Sequence, residues 1–337
     1  LITGLFWVNY TIYLMNQILS QYCSVIVKST SKAVTLLFIA IFSFSCEEGM
    51  IKENPPFIMP GDSVRFAVVG DYGKSGTAEF QVAEMIKSWN PDFIITTGDN
   101  NYEEGLLSMM VENIGQYYGD YIYNYDAPRD FRCYGKAFED EINRFFPSPG
   151  NHDYYGNNSL TPYLTYFTLP GNERYYEFIW GPVHLFSVNS MEHLDGESFA
   201  EQKRWFAERV QLSEAPFKIA YFHHPPYSTG KHGNHVTMQW NFWELGVTSV
   251  ITGHDHHYAR IHRKSEPGLI YLVNGAGGKS LYPCQDNPLS PDKFDVVCYD
   301  ENYGAMLVTA THTSITFMFS SIDDQDPFVD SCIVQLK

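Results

Sequence analysis

Basic side chains are scarce in this chain: 22 Lys and Arg stand against 39 Asp and Glu, a formal net charge of −17. That balance argues against nucleic acid or an anionic membrane surface as a main partner. An acidic protein can still bind phosphate where bound cations supply local positive charge. Cysteine is sparse too, with six residues and none at the close spacing of a zinc finger. There is no internal repeat and no low-complexity tract. The apolar run Ala33 to Phe42 is short for a membrane span. Gly73-Lys74-Ser75 has Val68 where a P-loop needs its first glycine, so Lys74 reads as a surface residue.

What is present begins with an N-terminal segment unlike the rest. Lys28 and Lys32 precede the apolar run, and Ser43-Phe44-Ser45-Cys46 follows it. A basic region, an apolar stretch and a small residue before Cys have the character of a secretory or bacterial lipoprotein signal, although Phe44 interrupts the junction. An uncleaved N-terminal anchor helix is the alternative. Residues 1–27, starting at Leu1, read as upstream sequence or part of a long leader. The expected organisation is a leader over 1–45, a linker over 46–61 marked by Pro55, Pro56 and Pro60, and one domain over 62–337. The leader implies export, to the periplasm, to the outside, or to a membrane through a lipid on Cys46. Cys133, Cys284, Cys298 and Cys332 would then remain, and export permits a disulfide among the last three, with the pairing open.

Hydrophobic periodicity assigns the elements. Ser63–Gly70 and Phe93–Thr97 read as strands around a helix Thr77–Asn90, which places Val82, Ala83, Ile86 and Trp89 on one face and ends at Asn90-Pro91. This β-α-β opening suggests a parallel pair. Glu103 to Phe146 is a long insertion whose aromatic middle, Tyr117 to Tyr125, packs over the site or forms a lid; Gly135–Phe146 is expected to be a helix. Further strands are expected at Tyr175–Ile179, His184–Asn189, Phe217–Phe222, Ser249–Thr252, Tyr258–His262, Leu269–Asn274, Met306–Thr311 and Ser314–Ser320. Further helices are expected at Phe199–Leu212 and Thr237–Leu245. Helices concentrate early and strands late, so a mixed sheet with a second sheet packed on it is the expected architecture.

Chemistry collects in five segments, four of them directly behind expected strands. The segments are Val68-Val69-Gly70-Asp71, Thr97-Gly98-Asp99-Asn100-Asn101-Tyr102, Pro149-Gly150-Asn151-His152-Asp153, Ile219-Ala220-Tyr221-Phe222-His223-His224 and Thr252-Gly253-His254-Asp255-His256. Each is an apolar run leading to a ligand-type side chain, where open α/β sheets bind their ligands. Eight of the twelve histidines fall between His223 and His262. A hard or borderline cation takes anionic oxygen and imidazole nitrogen, and Asp71, Asp99, Asn151, His223, His254 and His256 supply both. One Asp can bridge two cations ~3.5–4 Å apart; Asp99, central in the chain, is the expected bridge. Alternation lets only one of His223 and His224 face the site.

Together these segments resemble the calcineurin-like metallophosphoesterases, and within them the purple, tartrate-resistant type acid phosphatases. The family's motifs match Gly70-Asp71-Tyr72-Gly73, Gly98-Asp99-Asn100-Asn101-Tyr102, Gly150-Asn151-His152-Asp153, His223 and Gly253-His254-Asp255-His256. Asn274-Gly275-Ala276-Gly277-Gly278 is similar to the family's small-residue turn, so the resemblance covers about Ser63 to Gly278. It implies a four-layer α/β sandwich, two mixed β-sheets flanked by α-helices, and makes 62–337 the catalytic domain. It implies one cation, Fe(III), on Asp71, Asp99, Tyr102 and His256, and a second, Fe(II), Zn or Mn, on Asp99, Asn151, His223 and His254. His223 is preferred because the family's ligand stands two residues before the Pro matched to Pro225. Most metallophosphoesterases carry Asp-x-His in the first motif; here Gly73 stands at the third position. Tyr102 can replace the missing ligand, as the phenolate that binds ferric iron in purple acid phosphatases. The implied reaction is hydrolysis of small phosphate monoesters by a metal-bound hydroxide, with His152 or His232 donating a proton to the leaving alkoxide. His232 also reads as a plain loop residue. The alternatives are a phosphodiesterase or nucleotidase on the same fold, and a non-catalytic metal-binding protein.

Overall fold

The computed structural model describes residues 57–154, 156, 158–191, 199–285, 294–323 and 325–336. The leader over 1–45, Cys46 and most of the linker lie outside them. The strands are β1 (Phe57–Met59), β2 (Ser63–Val69), β3 (Phe93–Thr96), β4 (Phe145–Pro147), β5 (Tyr176–Trp180), β6 (Val183–Ser187), β7 (Phe217–Tyr221), β8 (Ser249–Thr252), β9 (Tyr258–Arg263), β10 (Ile270–Asn274), β11 (Phe294–Tyr299), β12 (Gly304–Thr311), β13 (Ser314–Ser321) and β14 (Val329–Gln335). They form an eight-stranded sheet, β1-β5-β6-β7-β8-β10-β9-β11, and a six-stranded sheet, β14-β13-β12-β2-β3-β4. Both sheets are mixed. β6, β7, β8 and β10 run parallel in the first, and β2, β3 and β4 in the second. β9 is antiparallel to β10 and β11, and β12 to β2 and β13.

Part of the high aromatic content fills the layer between the sheets. Phe93 and Phe146 of the smaller sheet meet Phe178 and Trp180 of the larger one, and Phe66 stacks on Phe93. Phe146 stacks on Phe178 with ring centroids 4.0 Å apart, and Phe93 meets Phe178 edge-on at 5.4 Å. Such pairs add about 0.5–1.5 kcal/mol each beyond the area they bury. Alternation along β7 then serves two cores. Ile219 and Tyr221 enter the layer between the sheets, while Ala220 packs on the other face with Phe206 and Val210 of the helix Phe199–Leu212. The helix Thr77–Ser88 covers the smaller sheet through Val82, Ala83 and Ile86 and lies against β12. It stops where the sequence predicts, with Asn90 left-handed at φ 47 before Pro91. The result is the expected sandwich, two mixed sheets flanked by helices.

Several local expectations are corrected. Gly135–Phe146 is a helix only over Lys136–Asp140, and its end is the strand β4. Glu141 turns left-handed at φ 56, which breaks the helix and frees Phe145 and Phe146 for the core. Thr237–Leu245 is a single 3-10 turn, Val236–Met238, followed by further turns. Its apolar residues Met238, Trp240 and Phe242 anchor separately in the second core, and Trp240 Nε1 donates to the Thr237 carbonyl. Phe57–Met59, read as linker, is an edge strand on β5. The aromatic middle of the insertion packs only in part, as its two readings allowed: Tyr118 is fully buried, edge-on to Tyr72 at 5.4 Å, the half-buried Tyr117 bonds Ser75 Oγ at 2.9 Å, and Tyr125 is exposed. The disulfide left open is Cys284–Cys298; Cys133 and Cys332 are free thiols. Among the described residues, no helix is long and apolar enough to cross a membrane.

One buried group sets a pH dependence for the fold. Glu79, in the first turn of the helix Thr77–Ser88, is fully buried, and neither carboxyl oxygen has a hydrogen-bond partner. Burial raises its pKa from 4.5 to about 10. Between those values the folded protein keeps a proton that the unfolded chain has released, so stability declines as pH rises through the window. Glu79→Gln should flatten that decline and raise stability at pH 8 by on the order of 1–3 kcal/mol. Urea unfolding at pH 5 and pH 8 measures it, and an unchanged pH slope in the variant would contradict the assignment.

Candidate metal centre

Five loops at the C-terminal ends of parallel strands build the site. Asp71 follows β2, Asp99 and Tyr102 follow β3, Asn151 follows β4, His223 follows β7, and His254 and His256 follow β8. The smaller sheet thus contributes three loops and the larger one two. Hydrogen bonds tie them across the gap: His223 Nδ1–H donates to the Thr97 carbonyl at 2.8 Å, and Asn274 Nδ2 donates to the Val68 carbonyl at 2.9 Å. Asp71, Asp99 and His254 have φ of 54, 51 and 69, the left-handed region that side chains other than Gly enter reluctantly. Backbone strain of that kind persists where surrounding structure dictates it and concentrates at functional sites.

Glycine explains two close approaches. Gly98, at φ +93, lies where an added Cβ would sit 2.7 Å from the His223 ring. A Cβ on Gly73 would lie 1.7 Å from the Asn100 carbonyl oxygen. No side chain fits at 73, so the absence of His there has a packing reason: the Asn100–Tyr102 backbone occupies the space. Tyr102 N–H donates to the Gly73 carbonyl at 2.7 Å, which fixes the loop that carries the phenol inward.

The donor atoms converge in two overlapping sets. The Tyr102 hydroxyl lies 2.9 Å from Asp99 Oδ2, 3.2 Å from Asp71 Oδ1 and 3.3 Å from His256 Nε2, and His256 Nε2 is 3.3 Å from Asp71 Oδ1. On the other side, His223 Nε2 is 3.3 Å from Asp99 Oδ2, 3.0 Å from Asn151 Oδ1 and 3.1 Å from His254 Nδ1. Asp99 Oδ2 belongs to both sets. Ligands on a cation with bonds of ~2.1 Å are separated by roughly 3.0–3.4 Å, so these spacings fit two cations sharing Asp99. Carbonyl acceptors fix the tautomers. His223 Nδ1 bonds Thr97, and His256 Nδ1 donates to the Ser280 carbonyl at 2.6 Å, leaving both Nε2 atoms for the site.

All nine residues singled out in the sequence meet here. His152 donates its backbone N–H to Asp99 Oδ1 at 2.8 Å, and its ring lies 4.4 Å from that of Tyr102. The His232 ring lies 4.2 Å from that of His254, while its backbone N–H donates to Asp255 Oδ1 at 3.0 Å. His224 is less separated from the site than strand alternation suggests. Its Nδ1 pairs with Ser190 Oγ at 2.8 Å, yet a ring nitrogen stays within 4.8 Å of the ligating atoms of His223 and His254. Asp153 escaped sequence reasoning, although it sits inside a matched motif. It accepts from Gly150 N at 2.8 Å and Asn100 Nδ2 at 2.9 Å, locking the Asp99 and Asn151 loops together. Burial, and then the Asp99 charge, push its carboxyl up to about 7. Tyr282, also missed, stacks on His256 with centroids 4.1 Å apart; nothing local in the sequence joins them.

The profile of the Calcineurin-like phosphoesterase family matches residues 64–258. The chain belongs to the calcineurin-like phosphoesterases. Its curated relatives include "Purple acid phosphatase 17" of Arabidopsis thaliana, 23% identical over 79% of this chain and 84% of the relative. Another is "Tartrate-resistant acid phosphatase type 5" of Homo sapiens, 24% identical over 64% of this chain and 73% of that one. Among solved structures, a purple acid phosphatase from yellow lupin (Lupinus luteus) seeds superposes with a TM-score of 0.62 at 16% identity, over 83% of this chain. The chain spans 55% of the length of that lupin protein. "GAP50 the anchor in the inner membrane complex of Plasmodium" superposes with a TM-score of 0.60 at 17% identity, over 82% of this chain and 90% of that one. These two likenesses show the fold.

Without a cation the site fills with a proton. Burial pulls the His223 imidazole down, but the Asp99 and Asp71 carboxylates outweigh it and raise it to about 9. Below that value a cation arriving at Nε2 must displace a proton. Zinc uptake at pH 7 should therefore release at least one proton per chain, and apparent affinity should climb as pH rises toward 9. Calorimetry in two buffers of different ionisation enthalpy reads the number, and uptake without proton release would contradict this account of His223.

Proposed function

We propose that this chain is an exported binuclear-metal phosphatase of the purple acid phosphatase type, acting on small phosphate monoesters. The observation that carries the reading is the seat of Tyr102: its hydroxyl lies among Asp71, Asp99 and His256, while Gly73 occupies the position of the missing first-motif ligand. Asp71, Asp99, Tyr102 and His256 would hold one cation, and Asp99, Asn151, His223 and His254 the other. Fe(III) is proposed for the first site and Fe(II), Zn or Mn for the second. When bound, such cations supply charge to neutralise phosphoryl oxygens and lower the pKa of a water.

The chain's own residues complete the chemistry. Burial, followed by the Asp71 and Asp99 charges, holds the Tyr102 phenol far above its ordinary pKa, so only a strongly charged cation makes it a phenolate. His152 Nδ1–H donates to the Glu103 carbonyl at 2.6 Å, leaving Nε2, 3.9 Å from Asp99 Oδ2, facing the site. We assign the proton for the leaving alkoxide to the imidazolium form of His152, given from Nε2 while Nδ1–H stays on the Glu103 carbonyl. Burial lowers the pKa of His232, which suits a neutral imidazole that orients a phosphoryl oxygen or its water rather than the acid. The Cys284–Cys298 disulfide supports an oxidising compartment, and so the proposed export. A nucleotidase reading draws on the aromatic insertion as a base platform, but Tyr118 is spent in the core. A non-catalytic metal-binding role on the same fold is the remaining reading; the full donor set supports the enzyme.

Iron-loaded protein should be pink to purple from a Tyr102 phenolate on Fe(III). Tyr102→Phe should stay folded, lose the colour and lose roughly tenfold or more in turnover of p-nitrophenyl phosphate. Colourless iron-loaded wild type, or a coloured Tyr102→Phe protein, would overturn the Tyr102 assignment; absent turnover would overturn the phosphatase.

A further inference from the structure

The mouth of the site holds a charge arrangement that the reaction above does not use. Lys74 and Lys279, far apart in sequence, converge on one oxygen of Glu103: Lys74 Nζ lies 2.6 Å from Glu103 Oε1, and Lys279 Nζ pairs with the same oxygen. One carboxylate thus faces two ammonium groups, in a chain whose net charge is −17. Lys279 is the better-held of the two. Its side chain is mostly buried, its Nζ stands 4.7 Å from the centre of the Tyr102 ring, and its backbone N–H donates to the Asp71 carbonyl at 3.0 Å. The cluster lies on the His152 side of the site, because the Glu103 carbonyl accepts from His152 Nδ1.

We propose that Lys74 and Lys279, with Glu103 as a resident competitor, form a subsite for a carboxylate on the leaving group. This rests on the phosphatase reading and names its substrate class: phosphate monoesters of hydroxycarboxylic acids. The side chain of Glu103 already demonstrates what the ammonium pair accepts. With phosphate at the metal centre and the ester oxygen at His152, substituents of the leaving group meet this pair. Their carboxylate shares the two ammoniums with Glu103 or displaces it, and charge-assisted hydrogen bonds of that kind are the stronger ones.

A matched pair of esters tests it: 3-phosphoglycerate, and glycerol 3-phosphate, which has a hydroxymethyl in place of the carboxylate. The ratio of their kcat/KM values cancels any general damage to the enzyme. Wild type should favour 3-phosphoglycerate by on the order of tenfold. Lys279→Met and Lys74→Met should each pull the ratio toward one, and Glu103→Gln should raise it. A wild-type ratio of one, or a ratio unmoved by both lysine substitutions, would overturn the subsite. Calorimetric binding of the two esters to zinc-loaded protein reads the same preference without turnover. If neither ester is hydrolysed but 3-phosphoglycerate still binds more tightly through Lys279, the phosphatase reading fails and the subsite stands. Equal binding of both esters would overturn the subsite alone.

Discussion

One carboxylate oxygen, Asp99 Oδ2, has to satisfy two neighbourhoods at once, and the rest of the site is arranged around that demand. The Tyr102 hydroxyl approaches it from one side and His223 Nε2 from the other. Asp71 and Asp99 are both buried, and an unpaired buried charge is costly. The Tyr102 hydroxyl and the backbone N–H groups of His152 and His254 donate to them, but these neutral donors leave the paired negative charge uncompensated. A proton on His223 is the partial remedy that the chain carries, and two cations would be the complete one. The left-handed backbones at Asp71, Asp99 and His254 point the same way, since strain survives where binding makes use of it.

The demand can be met only if two sheets are held in register. Three of the loops come from β2, β3 and β4 and two from β7 and β8, so a slip between sheets would separate Asp99 from His223. The aromatic layer of Phe93, Phe146, Phe178 and Trp180 opposes that slip, because interlocked rings pack well in few arrangements. Glycines at 73 and 98 then let backbone and imidazole approach to distances that any Cβ would forbid. Core, loop and donor atom form one chain of dependence, and the abundance of aromatics belongs to the support of the site as much as to stability.

The parts legible in the sequence were those with short-range signatures. Apolar runs ending in ligand-type side chains located all five loops, and the spacing of Val82, Ala83 and Ile86 located a helix. Thr237–Leu245 misled because Met238, Phe242 and Leu245 stand at helical spacing; the chain instead anchors Met238, Trp240 and Phe242 one at a time through turns. Glu141 hid the break before β4, because a non-glycine residue gives little warning of a left-handed turn. β1, β11 and β14 are edge strands, whose weak apolar pattern resembles loop. The rim cluster of Lys74, Glu103 and Lys279 joins residues far apart in the chain, and only the fold brings them together. Gly73 is instructive in another way. As sequence it is an absent ligand; in the structure it is the space through which Asn100 to Tyr102 pass.

The central claim is that Asp99 lies between two cations. Anomalous diffraction from crystals grown with manganese or zinc tests it most directly. The account predicts two peaks ~3.5–4 Å apart on either side of Asp99 Oδ2, one beside Tyr102 and His256 and the other beside Asn151, His223 and His254. A single peak, or a pair that does not bracket Asp99, would contradict it.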